Sequence, residues 1–213
     1  LKAKTYRNYF DRQLPGNVTG MDVSCIFQDS NGTLWFSARY DGLISIRRQN
    51  GREIIKTFPH HDGLYHYIES ITEDKFGTLW TASFSYGLTR MNRDGQIIAR
   101  YSSRNSRLPS DRFTFLLYDS AENVLWASTQ DAGVLKLRVL PDRLELLQQF
   151  NHDRHNPTSL RVNYAWPLLK DRRGAIWVGT IGGGLHQIVR NQNGQEEIRS
   201  CATWLPDSDV ESI

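Results

Sequence analysis

The sequence has few cysteines, no long apolar run and no block of like charge. Its 213 residues include two cysteines, Cys25 and Cys201, which are too few for a disulfide scaffold or for a metal framework built on cysteine. No apolar run approaches the roughly 20 residues that span a bilayer, so we expect this segment itself to make no membrane contact. The 26 basic residues are balanced by 23 acidic ones and no Lys/Arg block exceeds two residues, so nucleic acid is not an expected partner.

The composition nevertheless suffices for a folded core, although not a helical one. Hydrophobic residues make up 39% of the chain and aromatic residues 11%. No stretch of ten or more residues places apolar side chains at the i, i+3, i+4, i+7 spacing of an amphipathic helix. The chain starts at Leu1 without a signal peptide and stops at DSDVESI, so we expect both ends to be cut from a longer protein.

Four similar lines appear when the sequence is aligned on four of its tryptophans. They read DSNGTLWFSARYDGL (29–43), DKFGTLWTASFSYGL (74–88), DSAENVLWASTQDAGV (119–134) and DRRGAIWVGTIGGGL (171–185). The lines share an aspartate, a tryptophan and a glycine seven residues after the tryptophan: Asp29, Trp35 and Gly42; Asp74, Trp80 and Gly87; Asp119, Trp126 and Gly133; Asp171, Trp177 and Gly184. The tryptophans are 45, 46 and 51 residues apart, and a period of about 40–50 residues is typical of propeller blades or paired-helix solenoids.

Each aspartate opens a predicted tight turn. In three lines the turn is Asp-x-x-Gly, in which the aspartate accepts a hydrogen bond from the turn backbone and the glycine supplies a positive φ. The third line has an inserted residue and Asn123 in place of the glycine, and asparagine tolerates the left-handed conformation. We therefore expect the four aspartates to be structural rather than a pair of catalytic carboxylates.

Strand-like segments flank each turn and decide between the two repeat architectures. The predicted first strands are VSCIFQ, IESITE, FTFLLY and AWPLLK, the second begins at the tryptophan, the third at the closing glycine, and the fourth lies in REIIKTF, QIIARY, LELLQQF and EEIRSC. The sequence therefore predicts an all-β fold, a β-propeller of about four four-stranded antiparallel blades that is part of a larger ring. GTIGGG is then a hairpin between two strands rather than a phosphate loop, which would open a helix.

The shared pattern D-x-x-G-x-[LI]-W-[VFT]-[GAS]-[TS]-x-x-G-G-L resembles the two-component regulator propeller repeat, with its best match at 150–188. The stretch 152–163 is similar to the linker that precedes a blade in that family. The resemblance implies the periplasmic sensor region of a bacterial hybrid two-component sensor histidine kinase of the inner membrane, as in Bacteroidetes. It also implies a seven-bladed intact ring, an oligosaccharide or similar small ligand, no cofactor, and no catalysis in this segment.

The whole chain, 1–213, is then expected to be a partial propeller. The predicted divisions are the last strand of a preceding blade with a linker (1–20), four blades (21–66, 67–112, 113–163 and 164–204) and the start of a next blade (205–213). Blades at the two ends would expose unpaired edges. These edges would meet the remaining blades of the same propeller or a second copy, so a homodimer stays open.

Candidate ligand-binding residues lie at one end of the predicted blades. In an antiparallel meander, the second–third hairpins and the connections between blades share that end, and loops held by a rigid scaffold often carry function. Aromatic faces there could stack on sugars, while planar polar groups could bind hydroxyls. The candidates are Arg39, Tyr40, Asp41, Tyr65, Phe84, Tyr86, Arg112, Gln130, Asp131, Arg161, Tyr164 and Trp166. Adjacent loop histidines such as His60 and His61 do not establish a metal site, so none is predicted.

Two other functions stay open. Streptogramin-lyase-like propellers also repeat G-x-[LI]-W-[FV]-T, and such an enzyme would need a histidine and acidic residues that converge on the central channel. A propeller that binds another protein, or its own second copy, without any small ligand would show the same enrichment in Tyr and Arg.

Overall fold

The computed structural model describes residues 22–38, 42–58 and 65–201, and these residues form strands but no helix. No helix long and apolar enough to cross a membrane is found in them. The strands in chain order are β1 (Val23–Gln28), β2 (Leu34–Ala38), β3 (Gly42–Gln49), β4 (Arg52–Phe58), β5 (Ile68–Glu73), β6 (Leu79–Ser83), β7 (Gly87–Met91), β8 (Ile97–Tyr101), β9 (Phe113–Asp119), β10 (Val124–Thr129), β11 (Val134–Val139), β12 (Leu144–Phe150), β13 (Ala165–Lys170), β14 (Ile176–Thr180), β15 (Gly184–Arg190) and β16 (Glu196–Ser200).

The sixteen strands form four separate sheets, each a four-stranded antiparallel meander in chain order. Blade 1 is β1–β4, blade 2 is β5–β8, blade 3 is β9–β12 and blade 4 is β13–β16. The predicted all-β fold with four-stranded blades is therefore confirmed. Three predicted first strands coincide with the observed ones, and β9 continues one residue further, to Asp119.

Two compact units divide the chain, residues 1–68 and 69–213. The first unit contains blade 1, whose buried core includes Phe36, Ala38, Ile44 and Ile46. Trp35 stacks on Phe58 there, with 5.8 Å between the ring centroids. The segments 1–20 and 205–213, for which neighbouring blades are predicted, lie outside the described residues.

The second unit contains blades 2, 3 and 4, whose cores lie between successive blades. Trp80 of blade 2 packs in one cluster with Phe113 and Leu125 of blade 3. Trp126 of blade 3 packs in the next cluster with Leu168 and Val178 of blade 4. Because both rings are almost fully buried, truncating either to alanine would cost roughly 3–5 kcal/mol. Each tryptophan thus attaches its own blade to the one that follows.

In blades 2 and 3, the closing glycine of the repeat is required by a close backbone approach. Gly87 and Gly133 have φ angles of +78° and +75°. A Cβ atom on Gly87 would lie 2.2 Å from the carbonyl oxygen of Tyr101, and one on Gly133 would lie 2.1 Å from that of Phe150. Any other residue would clash with the fourth strand of its own blade.

The aspartate of the repeat holds its turn and its tryptophan together in three blades. Asp74 Oδ1 accepts the backbone N–H groups of Phe76 and Thr78, while Oδ2 accepts Trp80 Nε1–H at 2.8 Å. The corresponding indole bonds are 3.0 Å for Asp29 with Trp35 and 3.1 Å for Asp171 with Trp177. The Trp177 bond, with help from turn N–H groups, lowers the pKa of Asp171.

Blade 3 departs from this arrangement at its longer turn. Asn123 takes the left-handed conformation predicted for it, with φ +54°, and its side-chain amide donates to Val139 O at 2.7 Å. Asp119 Oδ2 accepts Lys170 Nζ of blade 4 at 2.5 Å. Trp126 Nε1 is buried and has no acceptor among the described residues.

Two buried cations connect successive blades of the second unit. Arg90 lies opposite Trp80 on β7 and donates to the carbonyl oxygens of Leu140 and Pro141 in blade 3, at 2.8 and 2.9 Å. Lys136 lies opposite Trp126 on β11 and pairs with Glu196 of blade 4. Both residues come ten positions after the tryptophan, a spacing that sequence analysis overlooked.

Candidate functional site

The blades of the second unit have two different ends. The loop end carries the hairpins 84–86, 130–133 and 181–183 and the connections 102–112 and 151–164. The turn end carries the aspartate turns, at 74–78, 119–123 and 171–175. The predicted ligand-binding residues of this unit belong to the loop end.

Three aromatic side chains meet at the loop end, and we call them the aromatic triad. Phe84 of blade 2 lies 6.5 Å from Trp166 of blade 4, and Tyr164 lies 6.0 Å from Trp166, measured between ring centroids. All three side chains are half-buried. Residues 84 and 166 thus come together although blade 3 separates them in the sequence.

A β-bulge at the start of β13 places Trp166. The pairing of β13 with β14 shifts register between Ala165 and Leu168, so Trp166 and Pro167 are left out of the ladder. Pro167 cannot donate a hydrogen bond, and β13 is an edge strand of its sheet, which tolerates that loss. Bulges of this kind re-aim a side chain and often stand beside functional sites.

Backbone hydrogen bonds fix the hairpins against the connections. Gly87 N–H, after the hairpin that carries Phe84, donates to Asp111 O at 2.9 Å. In blade 3, Gln130 N–H donates to Arg112 O at 2.9 Å. In blade 4, Ile181 N–H donates to Tyr164 O at the same distance. Hairpin and connection residues are therefore held side by side in each blade.

The polar candidates of blade 3 are engaged to different degrees. Asp131 accepts the hydroxyl of Ser110 at 2.5 Å. Gln130 is half-buried, and its Oε1 atom is buried without a donor among the described residues. Arg112 is exposed, and its side chain has no hydrogen-bond or ion-pair partner in the part of the chain that the structure describes.

Arg161 lies beside the GTIGGG hairpin. A Cβ atom on Gly183 would lie 3.2 Å from Arg161 Cβ and 2.9 Å from Val162 Cγ2, so glycine lets the connection approach. Arg161 N–H donates to His186 Nε2 at 3.3 Å. Burial, together with the positive charge of Arg161, lowers the pKa of His186 to about 4.

Not every candidate belongs to this assembly. Arg39, Tyr40 and Asp41 lie outside the described residues. Tyr65 belongs to the first unit, where its ring lies 5.8 Å from that of Phe58. Tyr86 is 47% exposed on the hairpin that carries Phe84. The binding roles of all these residues stay predictions.

Sequence analysis overlooked a groove of ≈ 830 Å³ at the turn end, between blades 3 and 4. Opposite charges in its walls pair with each other, as in Lys170 with Asp119 and Arg190 with Glu122. Two tryptophans line the groove: Trp126 is only 3% exposed and offers no open face, whereas Trp177 is half-buried. The inserted residue in the blade 3 turn is the sequence signal that could have pointed to this groove.

A family match covers one copy of the repeat. Residues 17–40 match the family described as Two component regulator propeller. The chain contains a two-component regulator propeller repeat. This match lies on the first copy of the propeller repeat, whereas sequence analysis placed the best resemblance at 150–188.

Solved structures with the same fold include bacterial extracellular domains. The extracellular domain of BT4673 from B. thetaiotaomicron, assigned to a one component system, has a TM-score of 0.68 and 21% identity over 89% of this chain and 26% of that chain. The extracellular domain of BT3049 from the same organism, assigned to a hybrid two component system, has a TM-score of 0.60 and 17% identity over 84% of this chain and 27% of that chain. Virginiamycin B lyase from Staphylococcus aureus has a TM-score of 0.60 and 19% identity over 87% of this chain and 57% of that chain.

These likenesses establish the β-propeller fold of the chain that carries the propeller repeat. The chain spans about a quarter of the length of the two B. thetaiotaomicron extracellular domains. No curated protein sequence matches it at a significant level.

Proposed function

We propose that the chain is a ligand-sensing module of a two-component signalling receptor, and that it binds an oligosaccharide or a similar small ligand without catalysing a reaction. The propeller repeat and the fold shared with the extracellular domain of BT3049, which is assigned to a hybrid two component system, support this setting. By the same resemblance, the segment is the periplasmic part of an inner-membrane receptor, whose output is a sensor histidine kinase.

The aromatic triad is the observation that carries the proposal. Half-buried aromatic rings offer apolar faces for the C–H surfaces of a sugar, and the rings of Phe84, Tyr164 and Trp166 are already gathered. In the groove at the turn end, Lys170 and Arg190 are already paired with Asp119 and Glu122.

Binding at the triad would act on the placement of the blades. A ligand that contacts Phe84 and Trp166 together touches blades 2 and 4, with blade 3 between them in the chain. Such a ligand favours the arrangement in which both rings reach it, and the population of that arrangement rises. The shift is the signal that we expect to pass to the membrane-proximal part of the receptor.

The purified chain should be titrated with a panel of plant and host oligosaccharides, with binding followed by calorimetry and tryptophan fluorescence. We expect Trp166→Ala to weaken binding by about tenfold, because a stacked ring contributes on the order of 1 kcal/mol beyond its buried area. Phe76→Ala, which removes an exposed ring at the turn end, is the matched control and should bind normally. Equal affinities of Trp166→Ala and the wild type would contradict the site.

The shared fold of virginiamycin B lyase calls for one further assay. The purified chain should leave virginiamycin B intact over hours. Turnover that exceeds the uncatalysed rate would contradict the non-catalytic role.

A further inference from the structure

The loop end of the second unit carries an excess of positive charge. Its hairpins and connections, defined above, contain five arginines against three aspartates. The three aspartates are held by neutral donors: Asp111 by Ser103, Asp131 by Ser110 and Asp153 by the backbone of His155. No described arginine of this end therefore has one of these carboxylates as its partner.

Several cations of the turn end are instead paired with acidic groups, although Arg172 and Arg173 are exposed without such a partner among the described residues. Lys170 pairs with Asp119, and Lys136 and Arg190 both contact Glu122. At the loop end, the side chains of Arg112 and Arg161 reach no acidic group of the described residues. An exposed guanidinium without a partner keeps its full capacity for a bidentate bond to an oxyanion.

Both arginines stand close to the aromatic triad through short connections. Thr114 Oγ1 donates to Ala165 O at 2.7 Å, which brings the start of β9, next to Arg112, to the residue before Trp166. Arg161 packs on the hairpin whose first residue, Ile181, is bonded to Tyr164 O. Arg112 and Arg161 therefore belong to segments that border the three rings.

We propose that the ligand of this site is an anionic oligosaccharide, whose sugar faces stack on the triad while its carboxylate or sulfate groups bind Arg112 and Arg161. This inference rests on the proposed function, since it specifies the chemical class of the same ligand. A uronic acid and a sulfated sugar present the same oxyanion chemistry, and the assay separates them.

The test compares charged and neutral forms of one glycan on the whole chain. An oligogalacturonide is measured against its methyl ester, which has the same length and no charge, and a sulfated hexosamine oligosaccharide against its desulfated form. We expect the preferred anionic form to bind at least tenfold more tightly than its neutral counterpart. Its affinity should fall as salt is raised from about 0.05 to 0.5 M, because screening weakens exposed charge pairs.

Variants separate this inference from the proposed function. The double variant Arg112→Gln/Arg161→Gln should lose tenfold or more in affinity for the anionic form and nothing for the neutral form, whereas Trp166→Ala should weaken both. Arg172→Gln, an exposed arginine at the turn end, is the matched control. Equal binding of neutral and charged forms, or an unaffected double variant, overturns the anionic ligand and leaves the sensing role standing. If neither form of any glycan binds, both proposals fail.

Discussion

Blades 2 and 3 of the second unit carry the same aspartate and tryptophan but use them differently. In blade 2, Asp74 holds both its own turn and the indole of Trp80. In blade 3, the equivalent Asp119 reaches across to Lys170 of the next blade, and the indole N–H of Trp126 has no acceptor among the described residues. Both rings are nevertheless buried against the following blade. Ring packing and the indole hydrogen bond are therefore separable contributions.

The largest difference should appear on removal of the aspartate. Asp74→Ala leaves the guanidinium of Arg90, which is 2% exposed, without its carboxylate, and such a loss costs roughly 3–5 kcal/mol. Asp119→Ala should cost only about 1 kcal/mol, because the side chain of its partner Lys170 is 30% exposed. Urea denaturation of both variants measures the gap, and equal losses would mean that the two turns are equivalent after all.

The pH dependence of the free energy of unfolding should distinguish blade 4 from blades 2 and 3, because blade 4 contains His186. Its pKa is about 4 in the folded chain against 6.5 in the unfolded one, so the neutral form favours folding. That contribution is complete above pH 6.5 and is lost as the pH falls towards 4, in total about 3 kcal/mol. The free energy of unfolding should drop by about 2 kcal/mol more between pH 7 and 5 for the wild type than for His186→Gln. Parallel pH profiles of the two proteins would exclude His186 as the cause.

Replacing each tryptophan by phenylalanine isolates the indole bond. Trp80→Phe loses a buried hydrogen bond to a charged acceptor, whereas Trp126→Phe loses only an N–H group without a partner. Because both changes remove the same volume, Trp80→Phe should cost roughly 2 kcal/mol more. A larger loss for Trp126→Phe would show that its N–H has an acceptor in solution.

The smallest effect concerns the turn that makes blade 3 different. Asn123→Ala places at φ +54° a residue that has a Cβ atom and no side-chain hydrogen bonds. We expect the free energy of unfolding to fall by about 1 kcal/mol through backbone strain, and to fall further because the side-chain bond to Val139 O is lost. Asn123→Gly keeps the conformation accessible and loses only the side-chain bonds. If denaturant titration shows that Asn123→Gly and Asn123→Ala lower the free energy of unfolding equally, relief of backbone strain is not the role of Asn123.

The strands were predictable from the sequence because their signals are local. The closing Gly follows the Trp at a fixed separation, and the turn Asp precedes the Trp by six residues in three lines and by seven in the third. Each of these residues fixes one strand end by its own conformation or contact. Even the altered turn of blade 3 could be anticipated, since asparagine is the residue that most readily replaces glycine at positive φ.

What escaped prediction depends on atoms from another blade. Nothing near Asp119 in the sequence indicates that Lys170 would bind it, because that pair forms only once blades 3 and 4 pack. The contact of Phe84 with Trp166 joins residues on two blades that are not consecutive. The candidate residues were named individually from their loop end, but their grouping into a triad needed the packed structure.

The cations Arg90 and Lys136 have a consequence for how this chain could be rearranged. Each cation binds main-chain or side-chain oxygens of the neighbouring repeat, so it is complementary only to the blade that follows it in this chain. Deleting blade 3 would place a different turn next to Arg90 and would leave its buried charge without its present partners. Although the blades resemble one another, each interface is specific to the two blades that form it. Variants in which the blades follow one another in a different order should therefore fold poorly.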